Sequence, residues 1–115
     1  MRVQKTKQFY DGKTKKLYET DQSDQLILEF KDVAVALDGK KTGIVQGKGE
    51  INNQVSNHLL EVLETKRIPT HYVQQLSNTE TVVKRLEMFP IEVIIRNIAA
   101  GTLAERLDIP EGAKM

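Results

Sequence analysis

Along this chain the apolar positions first fall in short runs between turns, then recur every three to four residues after about residue 48, then return to strand-like runs. KQFYDGKTKKLYET sets Asp11-Gly12 between two segments of aromatic and aliphatic character, which predicts a β-hairpin. QLILEF at 25–30 predicts a third strand, buried on at least one face, after the loop TDQSDQ. Residues 38–49, DGKKTGIVQGKG, hold four of the seven glycines and predict an irregular, mobile loop. Ile51, Val55, Leu59, Val62 and Leu63 then follow helical spacing, so 48–66 predicts an amphipathic helix that ends before Pro69. THYVQQL and ETVVKRLEM, separated by Ser77-Asn78-Thr79, predict a second hairpin. Beyond Pro90, IEVIIRNI predicts a strand and TLAERL a short helix before Pro110.

The order of elements and the short connections favour antiparallel pairing, and the fold class is α+β: an antiparallel sheet with a packed helix. There is no internal repeat and no low-complexity segment. At 115 residues and 13.1 kDa the chain suits one domain, or one domain and a piece of another.

Composition narrows the chemistry. With 39 % hydrophobic and 29 % charged residues the chain reads as globular, not disordered. Seventeen Lys and Arg against sixteen Asp and Glu leave +1, and aromatics are 5 %, so a general nucleic-acid binder is disfavoured and any anion site must be local. No run reaches membrane-span length, and no apolar stretch follows the basic start, so neither an anchor nor a signal peptide is expected. Without cysteine there is no disulfide, thiolate metal site or cysteine nucleophile, which suits a cytoplasmic location. His58 and His71 have no second metal ligand at useful spacing.

Several residues could carry chemistry. Lys13 and Lys15, two apart after a glycine turn, would project about 6.6 Å apart from one face of a strand. They are either a solvated lysine pair or, with the free N–H groups of the turn, a cradle for a polyphosphate. GIVQGKGE is not a Walker loop: Gly43 and Gly47 are one residue too close, and Gly49 stands where Ser or Thr would be needed. Asp38-Gly39 reads as a turn. Lys84 and Arg85 face opposite ways, so one of them points toward the core side or a cleft, or snorkels to the edge. Arg96 lies in the most hydrophobic run and needs an anion, supplied by a carboxylate of the protein or by a ligand. AAGT follows it, adding a glycine bend, helix-start N–H groups and the Thr102 hydroxyl, which together suit a phosphate or carboxylate.

YDGKTKKLYET, LILEFKD, ALDGKK, GKGEINNQVS, IPTHYV and LSNTETVVKRLEMFPIEVIIRNIAAGTLAERL, in this order, resemble the amino-terminal half of the SAICAR synthetase family, from about residue 8 to the end. The resemblance implies an ATP-dependent ligase of de novo purine biosynthesis that joins L-aspartate to carboxyaminoimidazole ribotide, giving SAICAR, ADP and phosphate. It implies that Gly12, Lys13 and Lys15 form an ATP-phosphate flap, that Lys84 and Met88 belong to the nucleotide site, and that Asp38, Arg96 and Thr102 meet the ribotide. Thr102 stands where relatives carry serine. It further implies a flap domain over 1–88 and, over 89–115, the opening strand and helix of a second domain. Mg²⁺ ligands would lie in the half beyond. The chain alone is expected to be inactive and to form a homo-oligomer or a strand-swapped assembly through 91–98. The alternative is a non-catalytic nucleotide-binding or interaction module from the same family.

Overall fold

The protein's structure, a computed structural model, describes residues 3–37 and 39–114, the Thr102 side chain excepted. In chain order the elements are β1 (Lys5–Asp11), β2 (Lys15–Thr20), β3 (Gln25–Phe30), β4 (Val33–Ala36), β5 (Lys41–Ile44), α1 (Lys48–Thr65), β6 (Tyr72–Gln75), β7 (Glu80–Lys84) and α2 (Gly101–Leu107). Five strands form one antiparallel sheet in the order β1-β2-β3-β7-β6, so both expected hairpins form and β3 joins them. The fold is α+β, as the pattern predicts.

Cross-strand pairs explain the sheet. Leu17 lies opposite Leu28 and Leu26 opposite Val83, on one face, while Ile27 and Val82 meet on the other and are fully buried. Such pairs are what a central antiparallel ladder gains from alternating aliphatic residues. Lys5, on the edge strand, reaches across its neighbours to pair with both Glu29 and Glu80.

Two expectations change. The stretch 38–49 is not a wholly irregular loop, because its first half closes a second small sheet in which Val33–Ala36 pairs with Lys41–Ile44. Glycine content marks where a chain can bend, and here it marks the turn and the helix start that flank the strand.

The second change concerns α1. Its apolar stripe would be expected to face the core, yet Ile51 is 62 % exposed and Val55 and Leu59 are also exposed. The buried residues are Gly49, Asn53 and Asn57, one every four positions. Gly49 is forced by close approach, since a Cβ there would stand 2.6 Å from the Phe30 carbonyl oxygen. Asn53 Nδ2 donates to the carbonyls of Ser77 (3.1 Å) and Asn78 (2.9 Å) in the β6–β7 turn. Asn57 Nδ2 donates to Thr81 Oγ1 at 2.8 Å, and the Thr81 hydroxyl donates to Asn53 Oδ1. The surface that meets this helix is a turn and a buried hydroxyl, so amides fit it and leucines would leave polar atoms unpaired.

Local signals fix the ends of α1. The Asp32 carboxylate, from the β3–β4 junction, accepts from the N–H groups of Gly47 (3.2 Å) and Gly49 (2.8 Å). At the other end Arg67 has φ +63°, and the N–H groups of Arg67 and Ile68 return to the carbonyls of Glu64 and Leu63, a Schellman closure without glycine.

Residues 91–98, expected as a strand, form no ladder among the described residues. The one bridge is Ile98 with Lys114, beside bonds from Ala99 N–H to Ala113 and from Gly112 N–H to Ala99. A strand is made by its neighbour, and the apolar run has none here. The radius of gyration is 16.7 Å, against about 13 Å for a compact chain of this length. The accessible surface is 8990 Å², against about 6,400 Å² for a compact monomer of this mass. Among the described residues no helix is long and apolar enough to cross a membrane.

Candidate functional site

The β1–β2 turn is built to hold a shape. Gly12 N–H donates to the Lys15 carbonyl at 2.8 Å, and a Cβ on Gly12 would come within 2.8 Å of the Tyr10 ring and 3.3 Å of the Lys15 carbonyl oxygen. Lys31, just after β3, grips the turn from the side. Its ammonium pairs with the Asp11 carboxylate and donates to the Gly12 carbonyl at 2.7 Å, while its backbone N–H donates to Thr14 (2.8 Å). The hydrogen bond from Lys31 holds the Asp11 carboxyl below its ordinary value.

Lys13 sits in this turn and not on β2, so it and Lys15 are not the same-face strand pair that their spacing suggests. Lys13 Nζ instead lies 3.2 Å from where a Cβ of Gly39 would stand, and Gly39 has φ +86°. That backbone favours glycine, whereas the contact is with the mobile end of a long side chain. The β1–β2 turn and the β4–β5 turn, far apart in sequence, therefore meet at one ammonium group. Asp38 itself lies outside the described residues.

Lys15, Lys84 and Met88 come together. They line an open groove of about 270 Å³ with Phe9, Leu17, Leu26, Leu28, Val83, Leu86 and His71. The floor is aliphatic because Leu17, Leu28, Leu26 and Val83 share one sheet face. Lys15 Nζ stands 5.4 Å from the Phe30 ring centroid, and Lys84 Nζ donates to the Thr70 carbonyl at 3.3 Å. Both lysines are exposed at their heads. Arg85 lies at the groove's margin, with its guanidinium 3.6 Å from Glu19 and over the ring of Phe9. Lys84 is the member of the pair that lines the groove. Met88, at 80 % exposure, offers its thioether to solvent along the groove's edge.

His71 is the groove residue that metal-ligand spacing could not find. Burial first, and then the charges of Lys15 and Lys84, push its imidazole below the ordinary value, so the ring is neutral at neutral pH. The backbone fixes its place: Lys84 N–H donates to the His71 carbonyl at 2.7 Å. Next to it, Glu64 at the end of α1 accepts from the Thr70 hydroxyl (2.7 Å) and N–H (3.1 Å).

Arg96 does not join this groove. It is half-buried and donates from Nη1 to the Ala100 carbonyl at 2.8 Å, at the start of α2, and no carboxylate among the described residues pairs with it. Thr102 occupies the second position of α2, and its side chain lies outside the description. Among the described residues no group of three or more His, Cys, Asp or Glu side chains gathers into a cation site.

Comparison with known proteins agrees over nearly the whole chain. Residues 8–115 match the family profile of SAICAR synthetase. A phosphoribosylaminoimidazole-succinocarboxamide synthase from Lachnoclostridium phytofermentans is 49 % identical over 98 % of this chain and 48 % of its own length. The Aquifex aeolicus protein of that name is 49 % identical over 98 % of this chain and 52 % of its own. Among solved structures, the Ehrlichia chaffeensis synthase superposes with a TM-score of 0.87 at 38 % identity, over 95 % of this chain and 46 % of that one. A SAICAR synthetase solved in complex with ADP gives 0.84 at 42 % identity, over 92 % and 45 %. The chain spans about half the length of the curated relatives it matches.

Proposed function

Because the chain belongs to the SAICAR synthetase family, we propose that it is the nucleotide-binding half of an ATP-dependent ligase joining L-aspartate to carboxyaminoimidazole ribotide. The observation that carries this reading is the meeting of Lys15, Lys84 and Met88 along one aliphatic groove. The family resemblance assigns these residues to the nucleotide, and a relative of the same fold was solved with ADP. An apolar floor with cationic heads above it suits a flat base and a polyphosphate.

In the proposed reaction a ribotide carboxylate oxygen attacks the terminal phosphorus of ATP. ADP leaves, and an acyl phosphate forms. The aspartate amine then attacks the acyl carbon, and phosphate departs as the amide forms and the amine proton is lost. Lys13 and Lys15 offset the phosphate charge in the first step, on a turn that Lys31 and Gly12 keep in shape. Arg96, held by Ala100, presents its remaining donors to the ribotide, and the family resemblance assigns Asp38 and Thr102 to the same ligand. We assign the Mg²⁺ ligands to the half of the relatives that this chain does not span. Residues 1–88 and 89–115 are read as a flap domain and the opening of a second domain, in a cytoplasmic enzyme.

The reading is tested by joining this chain to the remaining carboxyl-terminal half of the Aquifex aeolicus relative and following ADP and SAICAR formation from ATP, aspartate and the ribotide. Turnover by the joined protein, and none by this chain alone, is expected. A folded joined protein that binds ATP without turnover would favour the non-catalytic module.

A further inference from the structure

The groove contains a titratable group to which the ligation chemistry gives no task. His71 is half-buried in a groove that two ammonium-bearing side chains, Lys15 from β2 and Lys84 from β7, also line. The groove's other contributions, Phe9 from β1, Leu26 and Leu28 from β3, and Leu17, Val83, Leu86 and Met88, carry no charge. Glu64 of α1, which reaches the residue before His71, is engaged by the Thr70 hydroxyl and N–H. Among the described residues, the charged side chains that line the groove with the imidazole, Lys15 and Lys84, are both positive, while Arg85 and its partner Glu19 stand at the margin against Phe9.

We propose that His71 is a further nucleotide-binding residue, and that the groove takes up a proton at His71 when an anionic nucleotide binds. This rests on the nucleotide reading given above. An imidazole flanked by two lysines is kept neutral by desolvation and by their repulsion. Phosphates arriving between those lysines reverse the local field, and the protonated ring adds a donor for them. By linkage, whatever favours the protonated form on binding must make the nucleotide bind more tightly as pH falls through the histidine range. A neutral ligand such as adenosine would fill the same groove without reversing the field. The residue therefore distinguishes phosphorylated from unphosphorylated ligands, a task that two fully charged lysines perform without responding to pH.

The test is calorimetry of ATP binding near pH 6 in two buffers that differ in ionisation heat, for the wild type and for His71→Gln. The terminal phosphate of the nucleotide also titrates near this pH, so the quantity read is the difference between the two proteins. We expect the wild type to take up about 0.5–1 proton more than His71→Gln per ATP bound, with no such difference for adenosine. Equal proton uptake in two proteins that both bind ATP would overturn the inference and leave the nucleotide reading intact. Failure of the wild type to bind ATP would remove that reading and the inference with it. If His71→Gln does not fold, the NMR titration of the His71 ring in the wild type, with and without ATP, decides the same point: an upward shift of its midpoint supports the proposal, and an unmoved or lowered midpoint overturns it.

Discussion

Ile27 and Ile95 carry the same side chain and lie in runs of similar hydrophobicity, yet Ile27 is wholly buried and Ile95 is 90 % exposed. The first sits opposite Val82 in a strand with a partner on either side, whereas the second sits in a segment with no ladder at all. The difference between the sheet of residues 5–84 and the stretch 89–114 is therefore one of partners and not of composition. Ile91, Val93, Ile94 and Ile98 are exposed as well. A row of this kind is an apolar patch with unpaired backbone groups, the feature that pairing with another strand removes.

This contrast can be broken most sharply by amide exchange. In the monomer, residues 26–28 and 82–83 should be protected by the global stability, and 91–96 hardly at all, a gap on the order of 1,000-fold or more. Comparable protection in both would mean that 91–98 has found a partner, which sedimentation would then show as self-association, the homo-oligomer or strand-swapped form proposed for the isolated chain. Next in size, Ile27→Ala should cost about 2–4 kcal/mol in urea unfolding, and Ile95→Ala less than about 0.5 kcal/mol. Asn53→Ala should follow at about 1–2 kcal/mol, because it removes three hydrogen bonds in a buried place and leaves the Asn78 carbonyl without its donor, while the Thr81 hydroxyl keeps Asn57 and the Ser77 carbonyl keeps Gln75. Val55→Ser, on the exposed stripe of the same helix, should change little.

The smallest effect concerns acid. Burial of Glu80 works against its charged form, but hydrogen bonds from Lys5 and Ser77 outweigh it, and its carboxyl lies below the ordinary value. That stability is present above the unfolded value of about 4.5 and is lost as pH falls through the native one. Glu80→Gln should therefore remove about 0.5–1 kcal/mol at pH 7 and flatten the acid limb of the stability curve. Equal slopes below pH 4.5 for both proteins would contradict the pairing.

How much of this was legible in the sequence follows from the reach of each signal. The Asp11-Gly12 and Ser77-Asn78-Thr79 hairpins are local, and they form where turn chemistry puts them. The side on which α1 packs was not local. Its apolar positions formed a stripe, but the sheet region that receives the helix is polar, and the telling pattern was Gly49, Asn53 and Asn57 at four-residue spacing. In the site, Lys15, Lys84 and Met88 line one groove, a convergence that their positions along the chain do not reveal. Lys31 escaped notice because its partners, Asp11 and Gly12, lie 20 and 19 residues away and nothing in its neighbourhood marks it. His71 has no second metal ligand at useful spacing, and the lysines that share its groove are brought there only by the fold.

The central claim, that the groove of Lys15, Lys84 and Met88 receives a nucleotide, is tested most directly by titrating the ¹⁵N-labelled chain with ATP and mapping the perturbed resonances. The account predicts shifts at Leu17, Leu26, Leu28, His71, Lys84 and Met88, saturating together, with 91–98 unmoved. A folded protein whose groove resonances stay still, or whose shifts fall elsewhere, would contradict it.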